Sequence, residues 1–528
     1  MKFRPSAKTA PWLVSLVLAL PACAADSTDG ASSLGEKTAA VTATPVTFLV
    51  LYKAESLPKS ATSDITKAGG SVIASYPEIG VVIASSASDT FVSALSKSSF
   101  IDTVTPTQGA AVDSLPSITS HVKHKQPAPP ASSGEPLAPL QWNMRQIHAD
   151  QARAITAGKK SVIVGVFDSG IDDRLIDLQG QVDVKRSVTC IGGAADTTAA
   201  NWRNDVIGHG SHVAGIIGAK ENGHGVVGIA PGATLAAVKL TEDGFIYPEA
   251  FICGMYWAAT HDFDLVNASL FVDPFYYNCK NDPQQRALTI ADQRVIAFAA
   301  RKGVTVIAAA SNENQDMANP TQDIFSPTNG ATIERTVDKS CKLLPVELPG
   351  VIGVSATAAN GQLSYYSNYG LGVVDFAAPG GDMHIPAVGN DSGQIVSTIP
   401  AYSYYYQAAV DWNGRIGVGC TDGLDANDPL SDGSTCKETY ALLQGTSQAT
   451  PHVTGVAALV LSRYGKLPAP LMVAKLALGA TQIACPANPY APFPDDMLAS
   501  DTCQGPKVYN GFYGAGQVDA LATIRSIF

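Results

Sequence analysis

The apolar positions of this chain fall into two regimes. Between residues 46 and 107 the apolar runs are short and closely spaced. "VTFLVLY" (46–52) reads as a strand, "SATSDITKAGG" (60–70) as a helix ending in glycine, and "SVIASYPEIGVVIAS" (71–85) as two strands about a turn. "SDTFVSALSKSS" (88–99) reads as a short helix and "FIDTVTP" (100–106) as a closing strand. The order β-α-β-β-α-β predicts a small ferredoxin-like α+β unit. From about residue 140 to residue 528 the pattern changes. "SVIVGVF" (161–167), "TLAAVKL" (234–240), "LVNASL" (265–270) and "VTVIAAA" (304–310) are apolar at nearly every position, as in strands buried on both faces. Helical stretches separate them. This α/β alternation predicts a parallel sheet covered by helices, with ligands at the carboxyl ends of its strands.

Segments without such a pattern divide the chain. Lys2, Arg4 and Lys8 precede the apolar "WLVSLVLAL" (12–20), and small residues follow in "PACAAD". Residues 1–24 are therefore expected to be an export signal, whose apolar part is too short to span a bilayer. Two cuts stay open. "LPAC" resembles a bacterial lipobox, which would make Cys23 a lipid anchor; "ACA" fits an ordinary cleavage site that discards Cys23. The product is expected to be secreted, or held as a periplasmic or outer-membrane lipoprotein if Cys23 is lipidated. Residues 25–45, rich in Ser, Thr, Ala and Gly, read as a flexible spacer. Residues 108–139, with "KQPAPPASSGEPLAP", read as an accessible linker carrying a processing site.

The net charge of −11, with no basic cluster, excludes nucleic acid as an expected partner. Setting Cys23 aside leaves eight of the nine cysteines, which in an exported chain favour disulfides. Proximity suggests Cys420–Cys436 and Cys485–Cys503, then Cys279–Cys341, leaving Cys190 and Cys253 as buried free thiols.

Polar residues at the ends of the predicted strands carry the candidate chemistry. "SVIVGVF" runs into Asp168 and "VTVIAAA" into Ser311-Asn312; either polar residue alone reads equally as a turn or cap. "GHGSHVAGIIG" (208–218) holds His209 and His212 on one helical face, a spacing that suits a metal pair, one catalytic base, or two structural histidines. In "LQGTSQATPHVTGVAALVL" (443–461), Val453, Val456, Ala457 and Val460 recur at helical spacing, so Ser447 falls at a buried helix N-terminus. There it serves as a cap or faces negative charge. Together Asp168, His209 and Ser447 form a set for nucleophilic acyl transfer: a histidine takes the proton of a serine hydroxyl, and an aspartate orients the imidazole. The order Asp…His…Ser is one of those on which this geometry occurs.

The blocks "VFDSGID", "GHGSHVAG" and "GTSQATPHVTG" resemble the three signature blocks of the subtilisin-like serine peptidases (subtilase family), and "GVVGIAPGATLAAVKL" (225–240) is similar as well. The resemblance implies a doubly wound α/β domain with a mostly parallel sheet over residues 140–528, and no cofactor for the chemistry. It implies that residues 46–107 are an inhibitory propeptide, the chain's own intramolecular inhibitor. "YGAGQVDA" (513–520) resembles the family's closing segment, so no further domain is expected. By position Asp168, His209 and Ser447 match the catalytic residues, and Asn312 matches the oxyanion-hole side chain. Ser269, Leu270 and Ala310 match the substrate-binding edge; Phe271 stands there in place of a usual glycine, and Ser311 replaces another. A structural calcium is a further candidate. Asp177 and Asn222 fall at side-chain ligand positions, and Lys220, His224 and Val226 at carbonyl positions. A glutamine ligand is missing near Ala138 unless Gln141 substitutes for it.

The expected activity is that of an exported, monomeric serine endopeptidase, a hydrolase acting on proteins or peptides and made as a self-processing zymogen. A peptide ligase or cyclase on the same fold and a non-catalytic binding protein are the alternatives. A metallohydrolase using His209 and His212 lacks the glutamate expected between them, since Gly210 and Ser211 lie there.

Overall fold

The computed structural model describes residues 44–108, 134–408, 415–418, 438–491 and 501–527. The export signal, Cys23, most of the spacer and linker, and the Cys420–Cys436 pair lie outside these residues. No helix among the described residues is long and apolar enough to cross a membrane.

The N-terminal unit has the expected element order. Strands β1 (Val46–Tyr52), β2 (Gly70–Tyr76), β3 (Val81–Ser86) and β4 (Ile101–Pro106) form an antiparallel sheet in the order β2-β3-β1-β4, with helices Ala61–Lys67 and Phe91–Leu95. The unbroken apolar run of β1 has a direct cause. Phe48, Val50 and Tyr52 pack on the unit's own helices with Ile65, Phe91 and Leu95. The alternate residues Leu49 and Leu51, with Ile79, Val81 and Ile83, belong to the core of the large domain. Period-two alternation thus buries both faces. Polar contacts frame this second face: Arg294 donates to the carbonyls of Tyr52, Lys53 and Ile79, Arg286 pairs with Asp102, and the Tyr76 hydroxyl donates to the Gly193 carbonyl.

In the large domain, β5 (Ile163–Asp168), β6 (Val188–Thr189), β7 (Thr234–Lys239), β8 (Leu265–Ala268), β10 (Thr305–Ala309), β14 (Val351–Thr357) and β15 (Phe376–Pro379) form a seven-stranded sheet. All neighbours are parallel, in the order β15-β14-β10-β8-β5-β7-β6. The four runs read as buried strands became β5, β7, β8 and β10. Helices cover both faces. Helices Pro248–Thr260 and Pro283–Arg301 pack on one side through Phe251, Met255, Leu288 and Val295; helices His209–Gly218 and Thr446–Tyr464 pack on the other through Val213, Ile217, Val453 and Val456. The strand order reverses at β5, so a crevice opens at its carboxyl end, where Asp168 sits.

Short ladders organise the remaining chain. The pair β9 (Asn278–Cys279) with β13 (Cys341–Lys342) and the pair β11 (Gln322–Asp323) with β12 (Arg335–Thr336) tie together the long segments after β8 and β10. A three-stranded antiparallel sheet, β16 (Ile395–Thr398), β18 (Glu438–Leu443) and β17 (Arg415–Val418), leads into the Ser447 helix.

Disulfides join Cys279 to Cys341 and Cys485 to Cys503, as proximity suggested. Cys190 and Cys253 are not free thiols: they form a third disulfide, between the end of β6 and helix Pro248–Thr260. This pair is 63 residues apart, almost the same spacing as the 62 of Cys279–Cys341, so sequence spacing alone did not tell the two cases apart; the fold that brings Cys190 to Cys253 does.

Candidate active site

Asp168, His209, Ser447, Asn312, Ser269, Leu270 and Phe271 line one cleft of about 210 Å³, together with Ser169, Ile207, Thr241, Ile246, Ala309, Ser311, Glu313, Tyr405 and Thr446. Ala310 is not part of the wall. Its side chain is buried in the core with Val306 and Ala308, because neighbours on a strand point to opposite faces; Ala309 and Ser311 face the cleft instead.

His209 begins its helix, and its Nδ1 lies 2.9 and 2.8 Å from the two carboxylate oxygens of Asp168. Burial alone lowers the imidazole pKa, but the charge and hydrogen bond of Asp168 outweigh it and the net shift is upward. Asp168 accepts a further bond from the Ser169 amide at 2.8 Å. Behind this pair lies Asp205, which sequence reasoning missed. Fully buried, it accepts from the amides of Gly208 and Ser211 at the start of the histidine helix and from the Ser169 hydroxyl. It thereby satisfies first-turn N–H groups and fixes the loop carrying Asp168. Only the local spacing "NDVIGHGS" hinted at such a cap.

His212, one turn on, is fully buried with Nε2 at 3.1 Å from the Ala441 carbonyl. Burial lowers its pKa to about 3, so it stays neutral and serves packing, not chemistry.

Ser447 is the second residue of helix Thr446–Tyr464. Its Oγ donates to the Ser269 carbonyl at 3.3 Å, and the Ser269 hydroxyl donates back to the Ser447 carbonyl at 2.8 Å. Oγ makes no hydrogen bond to His209 in this rotamer, although both line the cleft. The first-turn amide of Ser447 has no intrahelical acceptor, as expected at a helix start. Asn312 presents its amide beside it. Its Oδ1 is held by the amide of Thr446 at 2.8 Å and the hydroxyl of Thr446 at 3.1 Å. The Thr446 hydroxyl also accepts from the Ser311 amide at 3.0 Å, where Ser311 has a left-handed φ of 80°. Glycine takes that conformation without strain, which accounts for the glycine expected at this position.

Phe271 stacks edge-on against Tyr276, whose hydroxyl bonds the Glu313 carboxylate and accepts from Asn368 Nδ2. Burial raises the Glu313 pKa.

The candidate calcium loop is arranged differently from the expectation. Asp177 Oδ2 accepts from the Val226 amide at 3.1 Å and the Tyr440 hydroxyl at 2.9 Å. Asn222 Oδ1 is taken by the His224 amide. Gln141 does not substitute for a ligand: its amide pairs with both backbone groups of Val227. Glu135 enters instead, accepting from the amides of Asn222 and Gly223 at 2.7 and 2.8 Å. Tyr440 fills the loop so closely that a Cβ on Gly225 would collide with its hydroxyl. Only Asp177 Oδ1 and Glu135 Oε2 keep buried side-chain oxygens without a hydrogen bond here. Calcium takes about six to eight oxygens, and N–H or O–H donors already hold Asp177 Oδ2, Asn222 Oδ1 and Glu135 Oε1, so the side chains alone offer too few free oxygens to fit the ion. No cluster of three or more His, Cys, Asp or Glu suited to a metal occurs among the described residues.

A model of the subtilase family matches residues 159–482. The chain belongs to the subtilase family. It is similar to subtilisin DY of Bacillus licheniformis (27% identity over 338 residues, 64% of this chain and 90% of the relative). It is also similar to fervidolysin of Fervidobacterium pennivorans (28% over 340 residues, 63% of this chain), of whose length the match spans only 39%. Among solved structures, the epidermin leader peptide processing serine protease of Staphylococcus aureus shares the fold with a TM-score of 0.60. The match has 19% identity and covers 91% of this chain and 98% of the other. This subtilase therefore has the fold that its three sequence blocks implied.

Proposed function

We propose that this subtilase is an exported serine endopeptidase that hydrolyses peptide bonds through an acyl-enzyme. The carrying observation is the Asp168–His209 pair, which shares a cleft with a serine at a helix N-terminus. Rotation about χ1 turns Ser447 Oγ from the Ser269 carbonyl to His209 Nε2, a change that substrate binding can drive. His209 takes the hydroxyl proton as Oγ attacks the substrate carbonyl. Asp168 holds the Nδ1–H tautomer and stabilises the imidazolium. The oxyanion receives hydrogen bonds from Asn312 Nδ2 and the Ser447 amide, both fixed before reaction. His209 returns the proton to the leaving amine, and water repeats the sequence on the acyl-enzyme. Ser269 to Phe271 supply an edge on which an extended substrate pairs.

The N-terminal unit acts in this reading as an intramolecular inhibitor, removed by a cut within residues 108–139. Gln108, the last described residue of that part of the chain, donates to Glu249 near the cleft-lining Ile246. The three disulfides among the described residues support export to an oxidising compartment.

A serine-directed phosphonate and N-terminal sequencing test the proposal. Wild type should be labelled at Ser447 and yield a shortened chain; Ser447→Ala should show neither. An unlabelled wild type removes the nucleophile assignment. Normal processing of the alanine variant with no other protease present removes self-maturation.

A further inference from the structure

The short helix Tyr404–Ala408 follows β16. Its first residues are fastened to the turn that precedes His209. The amide of Tyr404 donates to the Val206 carbonyl at 2.8 Å, and that of Tyr405 to the Ile207 carbonyl at 3.0 Å. Ser403 is fully buried under Gly208, where φ is 88° and any Cβ would collide with the serine hydroxyl. Tyr406 is buried with Ile399 and Ala441, and the Tyr402 hydroxyl donates to Asp172. These anchors leave Tyr405 facing the cleft. Its ring lies 5.9 Å from the His209 imidazole at an interplanar angle of 48°, and the Tyr404 ring lies 5.8 Å from it. Ile207 lines the same wall.

We infer that Tyr405 and Ile207 form an apolar subsite against the imidazole of His209, which selects a large apolar side chain in the substrate residue lying there. The inference rests on the peptidase reading. The wall is an aromatic face and a branched aliphatic side chain, so a large apolar residue displaces water from both, while a charged one would lose hydration against both. The helix is held by backbone bonds and buried neighbours, so the wall is in place before substrate arrives and costs no ordering on binding. Tyr405 is here a specificity-determining residue. It accepts no proton in the reaction.

The experiment compares wild type, Tyr405→Ala and Tyr405→Phe on a peptide library randomised at the two positions on each side of the cleaved bond. Wild type should show a preference for large apolar residues at one position. Tyr405→Ala should lower kcat/KM for those substrates about tenfold relative to substrates with alanine there, the scale on which apolar pockets discriminate. Tyr405→Phe should keep the preference, and the other three positions should be unchanged. A uniform loss over all positions, an unaltered preference in Tyr405→Ala, or a phenylalanine variant as altered as the alanine one overturns the subsite. Labelling of Ser447 by the small reagent phenylmethylsulfonyl fluoride, run on the same three proteins, separates the two readings. Labelling that persists with no change in preference refutes the subsite alone; labelling absent from wild type refutes the peptidase reading.

Discussion

The Thr446 hydroxyl offers a test of how Asn312, the proposed oxyanion donor, is held. It donates to Asn312 Oδ1 and accepts from the Ser311 amide, so Thr446→Val removes both bonds at nearly constant volume. The backbone amide of Thr446 still holds Asn312. Two separate effects follow. The buried Ser311 amide loses its acceptor, which costs about 1–3 kcal/mol of stability, read as a lower denaturant midpoint with unchanged slope. The loosened Asn312 loses one neutral hydrogen bond worth about 0.5–1.5 kcal/mol, equivalent to a fall in kcat of about 2- to 13-fold. KM should hold, because the donor acts on charge that develops only in the transition state. Asn312→Ala should cost about 10²–10³ in kcat. The double variant should be no slower than Asn312→Ala, since Thr446 acts through the side chain already removed. Multiplying effects in the double variant, or a raised KM with unchanged kcat, would refute this account.

Three further outcomes are expected. Replacing Cys190 and Cys253 together with alanine opens a 63-residue loop and should cost about 4 kcal/mol in denaturant unfolding; two extra free thiols in the unfolded, unreduced wild type would contradict the pairing. Tyr440→Phe should lower stability by about 1–3 kcal/mol by taking a donor from buried Asp177, and added calcium should not restore the loss; recovery with calcium would mean that the loop takes the ion after all. Glu249 is buried against Gln108 at the N-terminal unit, and burial raises its pKa, so the docked form holds a proton that the free carboxyl releases. Docking of the unit in the Ser447→Ala precursor, measured by hydrogen exchange, should be strongest below the ordinary carboxylate pKa and weaken as pH rises through the docked one; Glu249→Gln should flatten this profile.

How much could be read from the chain depended on the range of the physics involved. The sheet was legible because strands buried on both faces need near-continuous apolar runs, and β5, β7, β8 and β10 have them. Asp168 and Ser311-Asn312 were legible because the ends of such runs are where a parallel sheet exposes polar groups. Ala310 was misplaced, although strand parity already assigned it to the face opposite Ala309 and Ser311. The remaining departures share one cause. Cys190 with Cys253, Glu135 with the amides of Asn222 and Gly223, and Tyr440 with Asp177 are contacts between segments far apart in sequence. No local pattern encodes them. Tyr405 was likewise hidden within "AYSYYYQ", where four tyrosines look alike until the backbone separates their environments.

In the proposed reading of the N-terminal unit as an inhibitor, the two-sided burial of β1 bears on how long latency lasts. Once severed and released, the N-terminal unit would present Leu49, Leu51, Ile79, Val81 and Ile83 to water. At about 25 cal/mol per Å² of apolar area, a unit this small loses much of what holds it folded. The freed fragment is then pulled toward an unfolded chain, the form that a peptidase digests most readily. Each inhibitor molecule is in that case consumed by the event that releases it, and its loss cannot be reversed by mass action. The device resembles a fuse: one per enzyme, spent once, with no path back to the silent state.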